Sequence, residues 1–191
     1  MTETSKSYNL RIRECHFEKY LRGKGIDIGA GPDPLVILDG TVKSYDFKQG
    51  DANFMEDQKD NIYDFVYSSH CLEHMKSVRT SLFNWCRILK PGGYLYITIP
   101  DFELYEKSNW PSNFNLDHKF SFSKDYKRSD VNRINHYNIS EDLEPLLNSY
   151  NVNLIEAVLQ DEGYDYSLPA KIDQTLNGAL VQINIIGQKR L

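Results

Sequence analysis

The sequence predicts an α/β layered fold with a mainly parallel sheet. Two observations carry that expectation. Short apolar runs of strand character alternate with segments of helical spacing, and two further strands close the chain as an antiparallel pair.

The elements follow in order. Residues 7–21, "SYNLRIRECHFEKYL", place Leu10, Cys15, Phe17 and Leu21 on a loosely helical face that ends near Gly23. Residues 25–30 read as a short buried strand, "VKSYDF" (42–47) as a second and "YDFVYSSH" (63–70) as a third. From Leu72 to Leu89, Leu72, Met75, Val78, Leu82, Trp85, Ile88 and Leu89 recur at helical spacing. "KPGG" (90–93) stops that helix, because proline cannot continue it and glycine permits a left-handed turn. "YLYITIP" (94–100) is a further strand, and "VNLIEAVLQ" (152–160) with "ALVQINIIG" (179–187) supplies the closing pair. With no repeat, low-complexity tract or Pro/Gly/Ser linker to divide it, the chain is expected to form one domain over residues 1–191.

Composition narrows the function classes. Hydrophobic residues at 40% and charged residues at 26% are globular values, and a net charge of -5 argues against a dedicated nucleic-acid or anionic-membrane binder. Cys15, Cys71 and Cys86 are scattered and odd in number, as expected of reduced thiols, mostly in the core. "MTETSKSYNL" has no apolar signal core and no run reaches the length of a membrane span, so a cytoplasmic location is expected.

In a parallel sheet, ligands bind beyond the carboxyl ends of the strands, and chemistry-bearing residues cluster there. After the first strand comes "DIGAGPD", where Gly29 and Gly31 permit either a tight turn or close approach of backbone N–H groups to a ligand. The dinucleotide pattern G-x-G-x-x-G fits poorly, since Pro34 holds its third glycine position. Asp46 ends the second strand, placed either as a solvated carboxylate or as an acceptor for two ribose hydroxyls. Asp51 and Ala52 follow, suited to a turn or to the edge and face of a flat ring. The third strand ends in "YSSHCLEHM". His70 and His74 at i, i+4 would suit a metal if a third ligand were near; helix capping by Ser69 is the alternative, and no metal site is expected.

Taken together, the glycine turn, Asp46, "DA", "DFVYSSHCLEH" and "LKPGGYLYITIPD" resemble, in this order, the class I S-adenosylmethionine-dependent methyltransferases. The resemblance covers about residues 22–101 and is most specific in "YDFVYSSHCLEHM…RILKPGGYLYITIPD". It looks closest to small methyltransferases with an "SHxLEH" signature, often connected with sugar or surface-polysaccharide modification. It implies a three-layer Rossmann-like fold with a C-terminal antiparallel strand. S-adenosyl-L-methionine is the implied cofactor. Asp27, Gly29, Ala30 and Gly31 would hold its methionine end, Asp46 its ribose, and Phe47, Asp51 and Ala52 its adenine, while Ser68, Ser69 and His70 would line the pocket beside the sulfonium. The stretch from Gly31 to Asp51 is compressed, so shortened helices around the second strand and loss of a separate third strand are expected.

The implied reaction is methyl transfer to a small-molecule hydroxyl, sugar-like in character. An amine or protein side chain, or a non-catalytic binding module, is the alternative. Residues 101–140 are expected to form the acceptor side or lid, being rich in Trp, Phe, Tyr, Asn and His. His118 is the preferred base, its ordinary pKa of about 6.5 suiting proton removal near neutrality, and His70 is the second candidate. Asp117, adjacent in the chain, is not an obvious partner for it. "SSHC" stands where base-methylating enzymes carry an Asn/Asp-Pro-Pro-aromatic motif, and "KDYKR" (124–128) is short and interrupted by Asp125, so no nucleic-acid partner is expected.

Overall fold

The computed structural model describes residues 3–125 and 135–191. Its centre is a six-stranded sheet in the order β2-β1-β3-β4-β8-β7. The strands are β1 (Gly23–Ile28), β2 (Gly40–Tyr45), β3 (Tyr63–Ser69), β4 (Leu89–Pro100), β7 (Val152–Gln160) and β8 (Gln182–Lys189). Strands β2, β1, β3 and β4 run parallel; β8 alone is antiparallel to both of its neighbours. A two-stranded parallel ribbon, β5 (Ser121–Ser123) with β6 (His136–Asn138), lies beside the end of β4 through a bridge from Asp101 to Phe122.

Alternation along the strands divides the side chains between two faces. Val66, Leu95, Ile97, Ile99, Ile183 and Ile185 pack in one cluster with Leu82, Trp85 and Ile88 of helix α4 (Val78–Ile88) and Leu146 and Leu147 of α5 (Glu144–Ser149). Phe65, Tyr67, Tyr96 and Ile186 face the other way and meet Phe17 and Leu21. Three short N-terminal helices cover that second face: α1 (Glu3–Lys6), α2 (Tyr8–Arg13) and α3 (His16–Lys19). Helices on both faces of a mainly parallel sheet make the expected three layers.

Several boundaries differ from expectation for local reasons. The N-terminal helix breaks at Cys15, whose φ of 58° leaves its thiol exposed rather than on the apolar face; Cys71 and Cys86 are buried. The helix expected from Leu72 begins at Val78. Leu72–His74 is one 3-10 turn, Met75 is extended, and Ser77 caps α4 by accepting the Thr80 N–H at 3.2 Å. The expected cap, Ser69, instead bonds Thr98 within the sheet. "KPGG" forms no separate turn: α4 ends at Ile88 and β4 runs through it, with Gly92 left-handed and Gly93 so close to Asp64 that a Cβ would stand 2.7 Å from that carbonyl.

On the β2 side the compression is real. Among the described residues no α-helix lies between β1 and β2 or between β2 and β3, and no strand lies beyond β2. Residues 51–53 are fastened to α4 instead. Trp85 Nε1 donates to the Ala52 carbonyl at 2.9 Å, Asn84 Nδ2 to that of Asn53 at 2.9 Å, and Ser81 Oγ to Asn53 Oδ1 at 3.2 Å.

Candidate functional site

A cavity of about 380 Å³ opens at the carboxyl ends of β1, β2 and β3. Gly29, Asp46, Phe47, Asp51 and Ala52 line it, together with Asn53, Cys71, His74 and Lys119. Gly29 has φ +80°, and a Cβ there would stand 2.6 Å from Cys71 Sγ, so the turn requires glycine. Asp46 accepts the Gly31 N–H at 3.1 Å with one oxygen and the Phe47 N–H at 2.7 Å with the other, which ties the glycine turn to the end of β2. The Phe47 ring is 80% exposed at the cavity rim, a large apolar face with little protein over it. Asp51 is held by Asn53 at 2.7 Å and Lys76 at 3.1 Å, and these bonds, Asn53 foremost, keep its carboxyl below the usual range.

The other residues of the expected cofactor set brace this cavity. Asp27 is buried beneath the turn and accepts the Leu35 N–H at 2.7 Å; burial pushes its carboxyl up to about 7, against the opposing pull of that bond. Ala30 is buried. Ser68 Oγ donates to the Ile28 carbonyl at 3.0 Å, locking β3 to β1. Ser5 reaches the turn from α1, its backbone N–H bonding Asp33 at 2.8 Å.

Beside the cavity lies a cluster of ionisable side chains. Glu73 is fully buried, and neither of its carboxylate oxygens has a hydrogen-bond partner. Three imidazoles face its Oε1: His70 Nδ1 at 3.6 Å, His74 Nε2 at 3.9 Å and His118 Nε2 at 4.0 Å. Each imidazole is tied outward through its second nitrogen. His70 Nε2 meets Gln182 Oε1 at 2.9 Å, His74 Nδ1 the Asp117 carbonyl at 3.2 Å, and His118 Nδ1 the Glu106 carboxylate at 2.7 Å. Burial raises Glu73 to about 8 and lowers both His70 and His74.

The histidine pair has further potential ligands nearby, Glu73 and His118. Asp117 is no partner of His118: Glu106, twelve residues upstream, orients that ring, and the Asp117 carbonyl meets His74 instead. Glu73, Glu106, Asn53 and the anchoring Trp85 join the site only in the folded chain. Only the "LEH" spacing hinted at Glu73; the others depend on chain crossings that no local pattern encodes.

Segment 101–140 packs onto this region in its described part. Phe102, Leu104, Glu106, His118 and Phe122 are buried, and His136 is held between Ser121 and Ser123. Of "KDYKR", residues 126–128 lie outside the described residues. A larger cavity, about 660 Å³, opens at the opposite ends of the strands. Arg22 pairs with Asp39 and Lys90 with Asp64 along its wall, and it lies away from the carboxyl ends where such sheets bind ligands.

The model of a methyltransferase domain family matches residues 13–157 of the sequence. The chain belongs to that family. It is an S-adenosylmethionine-dependent methyltransferase, with S-adenosylmethionine as its cofactor. Solved methyltransferases share the fold. One from Archaeoglobus fulgidus is 17% identical, with a TM-score of 0.59 over 94% of this chain and 93% of that one. One from Thermotoga maritima is 20% identical with a TM-score of 0.54, covering 97% of each chain. One from Methanosarcina mazei is 16% identical, TM-score 0.56, over 92% of this methyltransferase and 97% of that chain. A search of curated protein sequences finds no match. No helix among the described residues is long and apolar enough to cross a membrane.

Proposed function

We propose that this methyltransferase transfers a methyl group to a hydroxyl of a small, sugar-like acceptor, in the cytoplasm. One observation carries the reading: five residues expected to hold the cofactor line one cavity, and the two expected bases stand together beside it, facing one buried carboxylate. The residues present fit the cofactor. Gly29 leaves room a Cβ would fill, Asp46 presents a carboxylate at the end of β2, Phe47 offers an exposed ring, and the cavity volume suits a ligand of this size. Asp46 would take the ribose hydroxyls, Phe47, Asp51 and Ala52 the adenine, and Gly29 to Gly31 the methionine end. Asp27, Ser68 and Ser69 hold the strand ends that carry them.

When bound, the cofactor supplies an activated methyl group on a sulfonium, so the chain's own tasks are alignment, exclusion of water and proton removal. We assign the proton to His70. Gln182 Nε2 donates to Ser7 Oγ at 3.0 Å and Gln160 Oε1 at 2.6 Å, which turns its own Oε1 toward His70 Nε2. The Nε2 proton is thus held outward and the Nδ1 lone pair is free. His118, locked by Glu106, is the positioning partner on the far side of Glu73. Aromatic rings meet along this side, Tyr105 tilted against His118 at 5.4 Å and edge-on to Phe114 at 5.7 Å, the kind of surface a polar ring packs against.

Calorimetric titration with S-adenosylhomocysteine, followed by turnover on a panel of sugars, amines and peptides, tests the reading. Binding with turnover on a hydroxyl acceptor is expected. Turnover only on amines or peptides overturns the acceptor, and binding without turnover on any of them favours a non-catalytic module. His118→Ala should lower turnover more than it weakens cofactor-product binding.

A further inference from the structure

We propose that Glu73, His74 and His118 bind one divalent transition-metal ion of zinc type, beside the cofactor cavity. Each residue offers one ligand atom, and the three atoms lie within 4.8 Å of one another. Zinc with bonds of about 2.0–2.1 Å holds tetrahedral ligand atoms roughly 3.3–3.5 Å apart. Glu73 Oε1 already stands 3.9 Å from His74 Nε2 and 4.0 Å from His118 Nε2, so shifts of about an ångström or less in the Glu73 carboxylate and the partly exposed His74 close the triad.

Two independent observations point to a cation here. The first is the direction of the ring protons. His74 Nδ1 faces a carbonyl and His118 Nδ1 a carboxylate, both acceptors, so the protons sit on those nitrogens and the Nε2 lone pairs point inward. Metal-binding histidines carry this outer arrangement, with the second N–H donated to a carboxylate or backbone carbonyl that fixes the ring. The second is Glu73 itself, fully buried, both oxygens without a hydrogen-bond partner, and aimed at those two lone pairs. A buried carboxyl without hydrogen-bond partners, beside two inward lone pairs, is costly, and a cation at their centre satisfies all three.

Ligand type selects the metal class. Two imidazoles with one carboxylate suit zinc and its neighbours, whereas all-oxygen sets suit magnesium or calcium. Three protein ligands leave a coordination position free, and His74 belongs both to the triad and to the cavity lining. His70, with Nδ1 at 3.6 Å from Glu73 Oε1, stays outside the triad as its nearest further donor.

The test uses the purified chain, stripped with EDTA and titrated with zinc chloride against a chromogenic chelator, with cobalt(II) as a spectroscopic probe. One equivalent is expected, with cobalt d–d bands of a low-coordinate nitrogen and oxygen site. Loss of an outer partner alone costs metal sites roughly 10–100-fold in affinity, so Glu73→Gln, His74→Ala and His118→Gln should each weaken binding by at least about tenfold. Cys15→Ser, which removes an exposed thiol that could bind zinc adventitiously, should change nothing. Binding of S-adenosylhomocysteine to each variant reports an intact cavity, and it separates failure of the metal site from failure of the cofactor reading. If Glu73→Gln does not fold, the partly exposed His74 decides. Substoichiometric uptake by the parent chain, full affinity in His74→Ala, or loss confined to Cys15→Ser would each overturn the proposal.

Discussion

The two sides of the cleft are built by opposite means. On the proposed donor side, residues 29–53, the cavity is lined from a left-handed glycine turn, carboxylates near the surface and an exposed ring, all on connections that carry no α-helix among the described residues. On the proposed acceptor side, Glu73, Glu106 and His118 are buried, and the Glu106–His118 bond leaves that ring little freedom. The contrast teaches where rigidity comes from in a trimmed fold. The donor side borrows it, through Trp85 and Asn84 of α4 and through Asp46 bridging to Gly31. The acceptor side generates its own, by drying ionisable groups and tying each imidazole outward. Binding should therefore fail gradually on one side and chemistry abruptly on the other.

The sharpest way to break that contrast is His70→Ala. Loss of a general base costs roughly 10²–10⁴ in rate, so kcat should collapse while calorimetric affinity for S-adenosylhomocysteine stays within about twofold. Equal losses in both would mean that the two sides are one site. Asp46→Ala should do the reverse. Hydrogen bonds to a charged group are worth about 1.5–3 kcal/mol, so affinity for the same ligand should fall roughly 10–100-fold, with kcat at saturation little changed. A kcat deficit at saturating cofactor would show that the glycine turn shapes the chemistry as well.

The smallest effect concerns the brace beneath the donor side. Asp27 has its carboxyl raised to about 7 from 3.8 by burial, so the folded chain keeps a proton that the unfolded chain releases between those values. That contribution to stability is complete below the unfolded value and is lost as pH rises through 7. Asp27→Asn removes the titration while keeping an acceptor for the Leu35 N–H. Its melting temperature should vary less between about pH 5 and pH 8 than that of the parent. Parallel curves for the two proteins would place the titration elsewhere.

The sheet and its single antiparallel strand were legible because strand alternation and the glycine turn are local signals. β7 coincides with its apolar run at 152–160, and β1, β2 and β8 lie within a few residues of theirs. α4 starts later than the spacing predicts because Leu72 and Met75 keep helical spacing while the backbone does not: Leu72–His74 is a 3-10 turn and Met75 is extended. At the site, Gly29, Asp46 and His70 were legible from their positions after strands. Glu106 was not, because it meets His118 only once residues 101–118 have folded back across the sheet ends, and twelve residues of irregular chain carry no period to read. Asn53 was hidden likewise, its role being fastened to a helix some thirty residues on.

The absence of a described strand beyond β2 has a bearing on handling as well as on binding. β2 presents an open edge of backbone donors and acceptors, the feature by which sheets recruit strands from other chains. Along it Thr41 and Lys43 are solvent-facing or nearly so, Lys43 pairing with Asp57 at 3.8 Å. A charged lysine in a short edge strand is a common guard against such recruitment. The economy that removed a strand from the donor side thus leaves colloidal behaviour resting on a few polar side chains far from the chemistry.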